Sequence, residues 1–315
     1  MLIKTCFTLI LLFTAFANAQ EKFEKDIIKQ TFGYSQESRA IVDLSELHQG
    51  CPERDCIPSI DNPEFVKARE TEAFSEDEIV MVVDHNGVQK AYSFLIMQFH
   101  EIVNDNFNGQ PVVVTYCPLC ASAIAFIPKV NGKYSSFGVS GVLHNSDLVM
   151  YDRETYSLWG QITGRAIVGP RAGERLKRVY VSQHRFKKAK QLFPKLQILL
   201  PPKNIEINYQ KDAYEDYHSE DTVKFPVALK DARLLNKTTV YGFEVNGFPV
   251  AIEKQYLIDN KALFEVINGK HINVSMQADG LVRVYNLTDK MEIMPTLVYW
   301  FAWFNFHPKT RLIKS

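Results

Sequence analysis

Ile79-Val80-Met81-Val82-Val83-Asp84-His85-Asn86-Gly87-Val88-Gln89-Lys90-Ala91-Tyr92 sets two apolar-rich runs on either side of an Asn-Gly pair. Asn-Gly is the preferred pair for a type I′ turn, because both residues accept positive φ. Residues 79–83 and 88–92 therefore read as the arms of a β-hairpin. Beyond it, Ser93 to Asn104 spaces its apolar residues helically behind Ser93, a suitable N-cap. A second pair, Asn108-Gly109, then leads into a strand over 111–116.

The same order recurs 160 residues later. Asn246-Gly247 answers Asn86-Gly87, Ala251 answers Ala91, Asn268-Gly269 answers Asn108-Gly109, and Ile272 and Val274 answer Val112 and Val114. The second copy predicts strands over 239–245 and 248–252, a helix near 254–264 and a strand over 271–276. The copies also close alike. Phe186, Phe193-Pro194 and Lys195 answer Trp300, His307-Pro308 and Lys309, now at an offset of 114, so the second copy lacks most of the segment between Val130 and Glu174. The expected fold is α+β and strand-rich, with two pseudo-symmetric halves from an internal duplication. Residues 20–75 form an N-terminal extension, 76–200 the first half, and 201–315 a second, degenerate half.

Residues 1–19 read as a cleaved signal peptide. Lys4 supplies the positive start, Cys6 to Phe16 an uncharged apolar stretch, and Ala17-Asn18-Ala19 the small-residue cleavage site. About a dozen apolar residues fall short of the roughly 20 that span a bilayer, and no later run reaches that length without charges. The expected location is periplasmic or secreted. The chain carries 36 basic and 36 acidic residues, a balance that gives no basic face for a nucleic-acid partner. The locally basic run Arg171 to Lys190 reads as a solvated helix face. No other partner is indicated.

The two copies differ most after the 111–116 strand. The first continues Cys117-Pro118-Leu119-Cys120. The second has Gln277-Ala278-Asp279-Gly280, an ordinary turn before a strand from Leu281 to Leu287. By the offset, Cys117 and Cys120 sit on a turn between strands 111–116 and 121–127. A thioredoxin-type Cys-x-x-Cys opens a helix whose N-terminus stabilises the thiolate, and a following strand removes that support. A turn of this kind resembles a metal knuckle, although Ala121 stands where a glycine is usual. Three roles stay open for the pair: ligands of a soft metal, zinc or copper, a redox-active disulfide, or structural thiols. Further ligands would come from Cys51, Cys56, His100, His144, His184 or Asp147. Cys51 and Cys56 flank a short loop and read first as a local disulfide.

Residues 137–170, absent from the second copy, set polar groups among glycine-punctuated strands: His144, Asn145, Ser146, Asp147, Asp152, Arg153, Trp159 and Gln161. Their presence only beside the cysteine pair points to one shared site. Taken singly, each also fits an ordinary role, Asp152-Arg153 in a turn and Trp159 in a core. Ser140 and Ser146 lack a nucleophile elbow and a placed third group, and there is no dinucleotide or phosphate loop and no His-Glu-x-x-His.

Asp55-Cys56-Ile57-Pro58-Ser59-Ile60-Asp61-Asn62-Pro63, Thr115-Tyr116-Cys117-Pro118-Leu119-Cys120, Asn145-Ser146-Asp147-Leu148-Val149-Met150-Tyr151-Asp152-Arg153 and Trp159-Gly160-Gln161 resemble an uncharacterised family of bacterial exported proteins, a domain of unknown function, over residues 45–310. The resemblance implies no activity, substrate or cofactor. The family pattern has Gly where Cys56 stands, which implies that a shared metal site would not depend on the Cys51/Cys56 pair. It varies at His144, which argues against that residue as a ligand. The preferred reading is one site joining Cys117 and Cys120 to Asn145–Arg153 and binding zinc or copper. The alternatives are a periplasmic thiol–disulfide oxidoreductase, with Cys117 as the attacking thiol, and a non-catalytic binding module with a structural cysteine pair.

Overall fold

Each of the five Asn-Gly pairs, Asn131-Gly132 included, turns the chain as a hairpin. Asn86, Asn108, Asn246 and Asn268 have φ between 47° and 51°, and the glycines that follow lie between 72° and 86°, the double positive φ of a type I′ turn. The computed structural model describes residues 27–203, 205–278 and 280–315. The signal-peptide reading of residues 1–19 lies outside them.

The N-terminal stretch supplies β1 (Leu47–Gln49) and β2 (Phe65–Lys67). A first unit follows with β3 (Ile79–His85), β4 (Val88–Ser93), helix α1 (Phe94–Met97), β5 (Ile102–Phe107), β6 (Gln110–Cys117) and β7 (Ser122–Ile127). The short strands β8 (Lys129–Val130) and β9 (Lys133–Tyr134) lead into inserted strands β10 (Phe137–His144), β11 (Asp147–Asp152), β12 (Leu158–Gly160) and β13 (Arg165–Val168). The first unit then resumes with β14 (Lys177–Val179), β15 (Ser182–Arg185), α2 (Phe186–Leu192) and β16 (Gln197–Leu199). A linker holding α3 (Glu215–Ser219) leads to a second unit: β17 (Thr239–Val245), β18 (Phe248–Glu253), α4 (Lys254–Asn260), β19 (Ala262–Ile267), β20 (Lys270–Met276), β21 (Val282–Asn286), β22 (Met291–Ile293), β23 (Thr296–Tyr299), α5 (Trp300–Phe306) and β24 (Arg311–Ile313). Strand accounts for 41% of the structure and helix for 14%, in keeping with a strand-rich α+β class.

The first unit pairs its strands as β15-β3-β4-β16-β2 and β14-β7-β6-β5, and the second as β23-β17-β18-β24 and β22-β21-β20-β19. Apart from β2 the order is the same. It extends to the last strand, which runs parallel to the second arm of the first hairpin in both units, β16 beside β4 and β24 beside β18. Each unit closes on its own apolar core, one around Val82, Tyr92, Val112 and Val114, the other around Phe243, Val250, Val274 and Val284.

The predicted helices are too long. In place of 93–104, α1 covers four residues, capped by the Ser93 side chain, which accepts from the Leu95 amide at 3.1 Å. Glu101 ends it in the left-handed region, φ 56°. Its N–H donates to Met97 O at 2.7 Å and its carbonyl accepts from Tyr116 N at 2.8 Å, so the chain reverses into β5. The second unit repeats this joint. Lys261, φ 63°, donates to Leu257 O at 3.0 Å and accepts from Met276 N at 2.7 Å, and the helix predicted near 254–264 stops at Asn260. The basic run Arg171–Lys190 is likewise not one helix face, since it holds β14 and β15 before most of α2.

The inserted sheet, ordered β1-β10-β11-β12-β13, lies against the outer face of β5–β7. Phe137, Met150, Trp159 and Ile162 meet Val113, Ile124 and Phe126 there, and Trp300 to Phe304 of α5 complete this third core. Gly164 (φ 61°) sits over the Phe126 ring, where a Cβ would stand 2.6 Å from a ring carbon. The far face of the inserted sheet is covered by Ile27, Ile28 and Phe32. A Cys51–Cys56 disulfide, Cα atoms 6.3 Å apart, closes the loop after β1. Asp55 within that loop bonds β10 through its amide and accepts from the Tyr151 hydroxyl.

Candidate functional site

Cys117 ends β6 and Cys120 precedes β7, so a strand and not a helix follows the pair. Two turn hydrogen bonds shape the connection, Cys120 N to Cys117 O at 3.2 Å and Ala121 N to Pro118 O at 3.4 Å. Ala121 takes φ 50°, the left-handed conformation that makes glycine usual at this place. An alanine holds it at a cost of about 1–2 kcal/mol. Both thiols are free, and Cys117 and Cys120 are 1% and 0% exposed.

The inserted sheet brings a carboxylate to them. Asn145 and Ser146, φ 52° and 64°, turn the chain between β10 and β11. The turn points the Ser146 carbonyl at the sulfurs, 3.4 Å from Cys120 Sγ and 4.0 Å from Cys117 Sγ. Asp147 follows. Among the described residues, Cys117, Cys120 and Asp147 are the one group of three whose possible ligand atoms all lie within 4.8 Å of one another. Asp147 Oδ2 accepts from the Ile162 amide at 3.0 Å. Its Oδ1 is buried with no hydrogen-bond partner, as is Ser146 Oγ. A buried acceptor left unsatisfied costs about 1–3 kcal/mol.

Electrostatics concentrate here. Burial pushes the Asp147 carboxyl up to about 7. Burial, helped by the neighbouring Asp147 charge, pushes Glu101 up to about 8. Burial also raises both thiols, Cys120 well above its ordinary value. Protons, or a cation in their place, are needed to keep so many acidic groups in a dry site.

The other parts of the fold close over the knuckle. Tyr299, from the second unit, donates its amide to Cys120 O at 3.0 Å, and its hydroxyl bonds His218 Nδ1 at 2.9 Å. Tyr217 of α3 donates its hydroxyl to Leu119 O at 3.0 Å. The sequence reasoning missed these tyrosines and Glu101. A helix over 93–104 gave Glu101 no special place, and nothing local marks residues 214–218 as lying near Cys117.

The sequence-predicted residues divide by what they bond. Gln161 is tied to the two strands of the knuckle, through Thr115 Oγ1 at 3.0 Å, Ser122 O at 3.1 Å and Ser122 Oγ at 2.8 Å. Asn145 accepts from the Ala228 amide at 2.8 Å and so fixes the linker. His144 meets Glu46 at 3.3 Å and the edge of Phe306. Asp152 accepts from the Trp159 indole at 2.8 Å and from Thr155. Arg153 reaches Asp61 and Ser59, both at 2.8 Å. His100 lies between Pro58 O and the Tyr209 hydroxyl, and His184 packs on Phe193. Of all the proposed additional ligands, only Asp147 joins the cysteine group.

A family model described as "Protein of unknown function (DUF3179)" matches residues 54–290. No curated protein and no solved structure matches the chain.

Proposed function

The chain belongs to the DUF3179 family, and we propose that its site is a buried soft-metal centre in which Cys117, Cys120 and Asp147 hold zinc or copper. The observation that carries this reading is the convergence of two free thiols and a carboxylate whose Oδ1 is buried and unpartnered. The donor set suits the group. Thiolates select soft ions, and three protein ligands is the number found where a metal keeps a position open for chemistry. A bound ion would polarise whatever occupies that position. Glu101 and Asp147 would carry protons before binding and release them on it, while Gln161 and the Tyr299 amide hold the knuckle in place.

Thiol–disulfide exchange fits less well. Raised thiol pKa values, burial and the absence of a following helix all disfavour the thiolate that attacks a disulfide. A purely structural pair, its thiols bonded to Asp147, does not require a buried carboxyl beside it. We further infer export, which the disulfide supports, and descent of the two units from one duplicated segment, with residues 20–75, 76–200 and 201–315 as the divisions. The shared strand order supports the duplication. The test of the centre is native mass spectrometry of protein purified without chelator. One bound metal, lost in Cys117→Ser, is the expected result. A metal-free mass lower by two protons for each of two closed disulfides would overturn it.

A further inference from the structure

A cavity of about 510 Å³ opens beside the knuckle, within the size range of small-molecule sites. Its walls come from three parts of the chain. The first unit gives Glu78, Phe94 and Tyr116, the linker Asp212 and His218, and the second unit Tyr299. Tyr116 and Ala121 flank the cysteine pair in sequence, so the cavity floor is the outer side of that turn. Phe94 and Tyr116 lie ring to ring, centroids 4.3 Å apart.

The charge in the cavity is one-sided. Asp77, Glu78 and Asp212 line it, with no lysine or arginine among the lining residues. Asp77 is offset by Arg185 at 3.1 Å. Glu78 bonds the Ser93 hydroxyl, and Asp212 accepts from the Tyr214 amide at 2.8 Å. Neither has an ion-pair partner among the described residues, although burial already disfavours the charge on Glu78. The nearby imidazole offers little compensation, since burial holds His218 below its ordinary value. Aromatic faces attract a cation through their quadrupoles. Two uncompensated carboxylates beside three aromatic rings therefore select for positive charge.

We propose that this cavity binds a small organic ammonium ion, its charged end between Glu78 and Asp212 and its apolar part against Phe94, Tyr116 and Tyr299. The proposal does not rest on the metal reading, because Cys117, Cys120 and Asp147 are not among the lining residues. Isothermal titration at pH 7.5 with three probes of one shape tests it: phenethylammonium, phenethyl alcohol and phenylacetate. Phenethylammonium is expected to bind saturably, and the alcohol and the carboxylate at least about tenfold more weakly. Glu78→Gln and Asp212→Asn, each checked for an unchanged melting temperature, should each weaken the ammonium probe by about tenfold or more and leave the alcohol unaffected. Equal binding of all three probes, no saturable binding of phenethylammonium, or retention of its full affinity in both variants would overturn the proposal.

Discussion

The two units solve the same backbone problem with different side chains. At the joint after the first helix both place a residue in the left-handed region with the same two hydrogen bonds, Glu101 in one and Lys261 in the other. Glu101 is 7% exposed and faces the acidic site, whereas Lys261 lies in solvent. At the next connection one unit has Cys117-Pro-Leu-Cys120 under the inserted sheet, and the other has the sequence Gln277-Ala278-Asp279-Gly280. The outer sheet face follows suit. Phe126 is buried beneath the insert, while Phe264, Val266 and Tyr285 on the second unit's outer face are 70%, 55% and 39% exposed. Strain shared by both units therefore belongs to the fold, and the cluster of Cys117, Cys120 and Asp147 is confined to the unit that carries the insert.

That contrast can be broken most sharply at the cysteines. Cys117→Ser or Cys120→Ser should lower metal affinity by about 100-fold or more, while Gln277→Ala at the matching place in the second unit should leave metal content unchanged. Elemental analysis of the three proteins decides between them, and equal content in all three would dissolve the distinction. Asp147→Asn comes next, with an expected loss of about 10- to 100-fold in affinity, read by competition with a chelator of known strength.

The pH dependence sharpens the comparison without touching the cysteines. Asp147 and Glu101 hold their protons in the folded, metal-free protein up to about 7 and about 8, whereas in the unfolded chain they lose them near pH 4. Between those values the folded state binds more protons, so metal-free stability should fall as pH rises from about 4 to about 8 and level off above. Denaturant titrations at pH 5 and pH 8 measure this. Asp147→Asn should flatten the slope, and Glu265→Gln in the second unit should leave it alone. The smallest effect concerns backbone strain at two left-handed positions. Ala121→Gly and Lys261→Gly should each stabilise by about 0.5–1 kcal/mol, the left-handed penalty less the entropy that glycine loses.

Much of this was legible before any coordinates. Asn-Gly pairs are strong local signals, and the four hairpins read from them follow; a fifth pair, Asn131-Gly132, turns β8 into β9. The constant offsets of 160 and 114 residues place corresponding strands correctly at both ends of each unit. What failed was the length of the helices. Phe99-His100-Glu101-Ile102-Val103 satisfies a helical spacing, but β5 is the first arm of the Asn108-Gly109 hairpin, and that tertiary pairing overrides the local pattern. Asp147 was in the candidate set because it sits in the segment present only beside the cysteines. Asp152, Arg153 and Trp159 came with it, and their polar atoms are taken up by Thr155, Asp61, Ser59 and each other. Spacing alone does not separate a carboxylate bonded on both oxygens from one left open on Oδ1. Tyr217 and Tyr299 arrive from more than 90 residues away in the sequence, so no local pattern announces them.

X-ray absorption at the metal edge, on protein loaded with one equivalent of zinc, tests the central claim most directly. The account predicts two sulfur scatterers at about 2.3 Å with oxygen or nitrogen at about 2.0–2.2 Å, and the loss of sulfur scattering when both Cys117 and Cys120 are replaced by serine. A shell of oxygen and nitrogen alone, unchanged by that replacement, would contradict it.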